Sequence, residues 1–211
     1  MNAGTVSHPV FARLYAALSP RAEGKGAGEH RDELLAGLTG RVVEVGAGNG
    51  LNFGHYPEAV TEVVAVEPEP YLRGRAAEAA ADAAVPVTVL DGLADALPCA
   101  DAAFDAGVAS LVLCSVPDQA AALAELRRVI RPGGELRFYE HVESRHPRIA
   151  ALQHQLDERD IWPRLAGGCH LGRDTLAAIR AAGFVIERCR RFRFPAGAVG
   201  LAHIIGVARR P

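Results

Sequence analysis

The stretch at residues 42–57, VVEVGAGNGLNFGHYP, sets an acid, Glu44, ahead of three glycines at alternate positions, Gly46, Gly48 and Gly50. A loop this bare of side chains lets a ligand come close to the backbone. The spacing excludes two kinds of ligand. A dinucleotide fingerprint needs G-x-G-x-x-G, and the third glycine falls on Leu51 when counted from Gly46 and on Phe53 when counted from Gly48. A phosphate loop needs a lysine after its last glycine, and the only lysine of the chain is Lys25. Two histidines are candidates for proton chemistry, because imidazole titrates near neutrality. His141 follows Glu140 at the end of an apolar run, and His170 follows Cys169 in a glycine-rich segment. Each has a second reading: His141 orders the loop it starts, and His170 caps the helix that follows it. Cys169 reads as a nucleophile or, more commonly for such a residue, as a small buried thiol. Cys114 reads as core.

These residues need elements to hold them. Helical apolar spacing covers 9–18, a Gly- and charge-rich loop 21–30, and a second helix 29–38, ending near Gly37 or Gly40. Short apolar runs at 41–46, 62–68, 85–92, within 104–116 and at 135–142 read as five strands. Helices are expected at 70–84, at 118–130 (where RPGG stops the run) and at 173–183. A helical, polar stretch lies at 147–160, and two closing strands lie at 184–192 and 201–210. Alternating strands and helices imply right-handed crossovers and a mainly parallel sheet, with ligands at the carboxyl ends of the strands. The segment 143–172 breaks the alternation. It holds Trp162, Gly167, Gly168, Cys169 and His170, and a long connection of this kind is often a substrate element.

The chain has 211 residues, 49% hydrophobic and 23% charged, with a net charge of −2. This suits one soluble globular domain and argues against a nucleic-acid partner, which calls for a basic face. Cys99, Cys114, Cys169 and Cys189 show no C-x-x-C spacing, so neither a metal knuckle nor a redox pair is announced. The first twenty residues lack the pattern of a signal peptide, and no apolar run, 196–208 included, reaches the length of a membrane span. A cytoplasmic protein with free thiols and no stable membrane anchor is expected. Oligomeric state is left open.

The pattern acid-x-G-x-G-x-G over Glu44, Gly46, Gly48 and Gly50, followed by Glu67 at the end of the second strand, resembles motif I of the class I S-adenosylmethionine (AdoMet) methyltransferases. DGLADALPCADAAFD (91–105) looks like the segment that leads into their fourth strand, and RVIRPGGEL (128–136) like their turn into the fifth, where Pro132, Gly133 and Gly134 supply turn geometry. The resemblance covers about residues 35–142. LNFGHYP, SLVLCSV, YEHV and GGCHLGRDT together narrow it to the methyltransferase-like thiol S-methyltransferases and their bacterial relatives. Animal members of that group carry an N-terminal membrane anchor, which is not expected here.

The resemblance implies a Rossmann-like α/β fold with a seven-stranded, mostly parallel sheet flanked by helices. It implies a single methyltransferase domain over 1–211. N-terminal helices occupy 1–40, the AdoMet-binding core 41–142, a lid or substrate segment 143–172, and a final helix with closing strands 173–211. Glu44, Gly46, Ala47, Gly48 and Gly50 would form the loop at the methionyl end, with the first amides of the next helix facing its carboxylate. Glu67, with Pro68 beside it, would accept from both ribose hydroxyls. Leu93 and Ala94 would border the adenine. Many members have Asp at the position of Leu93, so the adenine contact here would be apolar or through backbone, unless Asp95 substitutes. Ala109, Ser110 and Leu111 would line the methyl-donor region. His141 or His170 would serve as base for a thiol, whose pKa near 8.5 leaves little thiolate at neutral pH. Asn52 is a further candidate for the carboxylate. Phe53 and Tyr56 read as packing residues, and Trp162 as either an acceptor platform or an anchor. Arg148, Arg159, Arg164 and Arg173 read as solvated. No metal is expected to be needed.

The function implied is AdoMet-dependent methyl transfer to a small molecule, with a thiol as the acceptor that the narrower resemblance suggests. Two alternatives stay open, C- or O-methylation of a quinol-type acceptor and a non-catalytic AdoMet-binding regulator; against a third, a nicotinamide-dependent oxidoreductase, stands the glycine spacing.

Overall fold

The computed structural model of the protein describes residues 9–22, 26–195 and 200–211. The first eight residues, part of the loop expected at 21–30 and the start of the apolar run 196–208 lie outside the described residues. Two helices, α1 (Pro9–Ala22) and α2 (Gly28–Leu35), lead into β1 (Gly40–Val45). The chain then forms β2 (Val60–Val66), α3 (Pro70–Ala81), β3 (Val87–Leu90), β4 (Phe104–Ser110), α4 (Gln119–Val129) and β5 (Ile130–His141). It continues through α5 (Pro147–Glu158), α6 (Ile161–Leu165) and α7 (Thr175–Ala181) to β6 (Val185–Phe194) and β7 (Leu201–Arg209).

The strands form one seven-stranded sheet in the order β3-β2-β1-β4-β5-β7-β6. The first five pair in parallel, and β7 inserts antiparallel between β5 and β6. The inner strands have a physical signature in the sequence. Val42–Val45, Val63–Val66 and Ala106–Ala109 are buried without interruption, because helices and loops cover both faces of a parallel sheet. They therefore read as continuous apolar runs rather than alternating ones. Helices α3, α4 and α7 start where a carboxylate satisfies a free amide. Glu69 accepts from Leu72 N at 2.8 Å, Asp118 from Ala121 N at 2.9 Å and Asp174 from Ala177 N at 3.0 Å.

Two crossovers differ from the expected alternation. Between β1 and β2 there is only a single 3-10 turn, Phe53–His55, so no α-helix follows the glycine loop and the amides expected at its start are not there. The cause is local. Asn52 Nδ2 and Tyr56 Oη both donate to Glu44 at 2.7 Å, pinning the segment across the end of β1. The place of the missing helix is filled by α2. Its Leu34 and Leu35, with the following Leu38, share one buried cluster with Val42, Phe53, Tyr56 and Val63. Between β3 and β4 the chain makes turns with one isolated bridge, Leu93–Ala96.

The RPGG turn is also different in detail. It ends α4 as expected, but β5 starts at once, at Ile130, and the turn bulges out of the strand. Phe104 pairs with Ile130, and the next pair is Ala106 with Glu135. Gly133 has φ +75°, and a Cβ on Gly134 would lie 2.7 Å from the Asp105 carbonyl oxygen. The close approach of β4 is what requires glycine there.

Candidate active site

The carboxyl ends of β1, β2, β4 and β5 open into a cavity of about 520 Å³. The strand order dictates this place. The chain leaves β1 toward β2 on one side and continues from β3 to β4 on the other, so the crossovers diverge beside β1.

The glycine loop is one wall. Gly46 and Gly48 line the cavity with φ +66° and +58°. A Cβ on Gly46 would lie 2.4 Å from Val112 Cγ2, so the loop also packs where no side chain fits. Gly50, at φ +80°, is turned into the protein against Phe53 and Ala79. Ala47 and Ala109 are buried and lie outside the lining, as does Glu44. Glu44 supports the loop from behind. It is 2% exposed, and its two donors, Asn52 and Tyr56, are buried and lie outside the cavity lining. Burial pushes its pKa from 4.5 up to about 7 against those two hydrogen bonds. Asn52 is therefore not free to reach a ligand: its Oδ1 accepts from Arg31 at 2.6 Å.

Glu67 forms the next wall. Its Oε2 accepts from Gly48 N at 2.8 Å and its Oε1 from Glu69 N at 2.9 Å. Each carboxylate oxygen has two lone pairs, so both keep acceptor capacity toward the cavity. Burial raises its pKa, and the two amides oppose that shift. Pro68, Leu93, Ala94, Ser110 and Leu111 also line the cavity, as does Asp95. Helix α1 contributes Phe11 and Tyr15, whose rings stack at 5.8 Å. Sequence reasoning missed both. Gly48 carries a signal of them only in space, because a Cβ there would touch the Tyr15 ring at 3.3 Å. A Cβ on Gly167 would strike Phe11 at 2.3 Å, so α1 and the segment after α6 meet over the cavity.

The corner where β4 and β5 end holds three polarisable groups. Cys114 follows β4, His141 ends β5 and Cys169 follows α6, and all three line the cavity. His141 Nδ1 lies 3.3 Å from Cys169 Sγ and 3.8 Å from Cys114 Sγ. The Cys169 sulfur and burial push the Cys114 thiol up to about 12, so it is protonated and no nucleophile in this state. Burial lowers the His141 pKa, but Cys114 and Glu140 outweigh it and the net shift is upward. The corner is rigidly mounted. Glu140, fully buried, accepts from Val112 N, Leu113 N and Cys114 N at 2.9–3.1 Å. His170 N donates to the Cys114 carbonyl at 2.8 Å.

The second histidine is placed differently. His170 lies outside the cavity lining, with Nδ1 2.8 Å from the Gly168 carbonyl oxygen, so it braces its own turn. Arg173 is not simply solvated either: it donates to the Leu113 carbonyl at 2.7 Å. Arg164 pairs with Asp160. The sequence shows no metal-ligand spacing, but the fold brings three possible ligands together. Cys114, His141 and Cys169 place their ligand atoms within 4.8 Å of one another, across 27 and 28 residues of chain.

Residues 43–138 match the family model described as methyltransferase domain. The chain is similar to the human thiol S-methyltransferase TMT1B, 33% identical over 184 residues, which span 82% of this chain and 75% of that one. It is also similar to human thiol S-methyltransferase TMT1A, 31% identical over 166 residues, 76% of this chain and 67% of that one. Among solved structures, a putative methyltransferase from Bacillus halodurans C-125 superposes with a TM-score of 0.72 at 16% identity, covering 87% of this chain and 98% of that one. The fold, cavity and relatives together define the class: the chain belongs to the class I AdoMet-dependent methyltransferases. It is thus an enzyme of methyl transfer, with relatives named for thiol acceptors. Among the described residues, no helix is long and apolar enough to cross a membrane.

Proposed function

We propose that the protein holds AdoMet in this cavity and methylates a small thiol seated at the corner of Cys114, His141 and Cys169. The fit to the cofactor rests on unpaired groups. Ser110 Oγ and Trp162 Nε1 are buried on the cavity wall without a hydrogen-bond partner among the described residues. A buried polar atom left so costs about 1–3 kcal/mol, which a polar ligand relieves. Glu67 offers the remaining lone pairs of its carboxylate to a ribose. Leu93 and Ala94 offer an apolar surface to an adenine, and Gly46 and Gly48 offer bare backbone to the methionyl end. Glu44, Ala47, Gly50 and Ala109 serve from behind, by fixing the loop and strand ends. When bound, AdoMet supplies an electrophilic methyl group on a sulfonium.

The side chains need then do only three things: hold the two reactants in line, exclude water and set the acceptor's protonation. Phe11 and Tyr15 of α1 and Trp162 and Gly167 of the 143–172 segment close over the cavity, which is the role proposed for that segment as a lid. The observation that carries the thiol reading is the corner itself, two thiols and one imidazole at the edge of a largely apolar cavity.

The test is a reaction of purified protein with AdoMet and a panel of small thiols, phenols and quinols, with S-adenosylhomocysteine and methylated products read by mass spectrometry. Products from thiols alone are expected. Products from phenols or quinols alone would overturn the thiol assignment and leave the cofactor site standing. Cofactor binding without any product would favour a regulator.

A further inference from the structure

We propose that Cys114, His141 and Cys169 form a zinc site with one open position, and that the acceptor thiol occupies that position as a fourth ligand. The second clause rests on the thiol reading above; the first does not.

Two of the three spacings between the ligand atoms fit a metal site, and the third is within 4.8 Å. Tetrahedral zinc binds sulfur at ~2.3 Å and imidazole nitrogen at ~2.0 Å, which places those two atoms about 3.5 Å apart. The two distances from His141 Nδ1, 3.3 Å to Cys169 Sγ and 3.8 Å to Cys114 Sγ, bracket that value. The ligand set is selective by its chemistry. Two thiolates and an imidazole suit zinc and other soft cations, not the hard ones that prefer oxygen. Two thiolates also cancel the charge of a divalent ion, so the loaded corner would be neutral where an isolated charge would be costly. Three protein ligands with one place left is the arrangement of zinc sites that do chemistry rather than hold a fold.

The mounting suits the same purpose. A site must be held by atoms other than its ligands, or it collapses onto its own hydrogen bonds. Glu140 clamps three successive amides, the last of them that of Cys114. The His170 amide ties the Cys169 turn to the Cys114 carbonyl. Gly168 allows the turn to come this close, since a Cβ there would lie 2.9 Å from the Ser115 carbonyl oxygen. All three ligands line the cavity, so the open position faces the space where methyl transfer would occur.

A metal there accounts for the acceptor's activation. As the zinc–sulfur bond forms, the S–H bond of the acceptor breaks and the proton passes to solvent. A coordinated thiol is deprotonated outright. The thiolate sulfur then donates an electron pair to the methyl carbon, and the pair of the breaking carbon–sulfur bond stays on the former sulfonium. The products are a methyl thioether and S-adenosylhomocysteine, and the zinc is unchanged.

The test reads metal before activity. Metal-stripped protein, kept reduced, is titrated with zinc sulfate against a chromogenic chelator. Its cobalt(II) form is examined for thiolate-to-cobalt charge-transfer absorption. One equivalent of zinc is expected, weakened at least tenfold by Cys114→Ser, by Cys169→Ser and by His141→Ala, and unchanged by Cys99→Ser or Cys189→Ser. The cobalt spectrum of the unaltered protein decides the matter even if a variant fails to fold. Zinc bound at well under one equivalent, affinity unaffected by the ligand variants, or cobalt absorption without thiolate bands would overturn the site. Adding an accepted thiol to the cobalt form is expected to shift the spectrum. No shift, with the metal site intact, overturns the fourth-ligand clause alone. A spectrum that shifts while only phenols or quinols are methylated would refute the thiol reading and spare the metal.

Discussion

The carboxylate of Glu67 accepts the backbone N–H of Gly48 at 2.8 Å, so the end of β2 holds the glycine loop that leaves β1. One side chain thus shapes the loop and faces the cavity. Glu67→Ala is expected to unpair the Gly48 amide and remove the acceptor proposed for the ribose. AdoMet affinity should fall at least about tenfold, or ~1.4 kcal/mol, by titration calorimetry. Unchanged affinity would mean that the cofactor lies elsewhere.

Gly46→Ala places a Cβ 2.4 Å from Val112 Cγ2 on a residue at φ +66°. The left-handed conformation costs an alanine roughly 1–2 kcal/mol, and overpacking adds to that. A clear drop in the urea midpoint is expected. Gly54→Ala, where nothing lies within 4 Å of the added carbon, should stay within about 0.5 kcal/mol of the parent. Equal effects from the two would mean that the loop tolerates a side chain.

The sequence patterns that proved legible are those set by local physics. A strand buried on both faces must be apolar throughout, and β1, β2 and β4 could be found from that alone. Gly46, Gly48 and Glu67 could be found because a close backbone approach and a strand-end acid leave marks at fixed spacing. The loop in place of a helix after β1 was not legible. Its cause is a pair of buried hydrogen bonds, from Asn52 and Tyr56 to Glu44, and by sequence Asn52 reads as a ligand contact and Tyr56 as a packing residue until their shared partner is known. Phe11 and Tyr15 lie in an amphipathic helix that looks like any other until α1 is seen above Gly48 and Gly167. The corner of Cys114, His141 and Cys169 was hidden for the same reason: it is made by three separate strand and helix ends, not by a spacing.

The two histidines should now separate. His141 meets both thiols at the cavity, and His170 braces a turn outside it. His141→Ala is expected to lower kcat at least about tenfold, within the range for loss of a group that sets an acceptor's protonation. His170→Ala should change kcat by less than about threefold, with any loss appearing in thermal stability. Steady-state kinetics on the best acceptor from the panel decide this. The reverse order of effects would place the chemistry at the turn.

Glu44 predicts a pH dependence of stability. Its pKa rises from 4.5 to about 7 on folding because burial disfavours the carboxylate. Between those values the folded state binds more protons than the unfolded one, so stability falls as pH rises. Its contribution is full below about 4.5 and is lost as pH passes about 7. The shift corresponds to about 3 kcal/mol. Other groups move in the same range. Glu67 is shifted upward by burial and adds to the fall. His203, buried and held neutral with a pKa of about 3, acts in the opposite sense, losing stability as pH drops below its ordinary 6.5. The difference between parent and variant isolates Glu44. Glu44→Gln keeps the shape of the side chain, and its amide oxygen and nitrogen still pair with Asn52 and with a rotated Tyr56 hydroxyl. Urea midpoints from pH 5 to pH 8 should fall more steeply for the parent than for Glu44→Gln. Parallel curves would show that Glu44 is ionised in the folded protein throughout, with the Asn52 and Tyr56 hydrogen bonds outweighing the cost of burial.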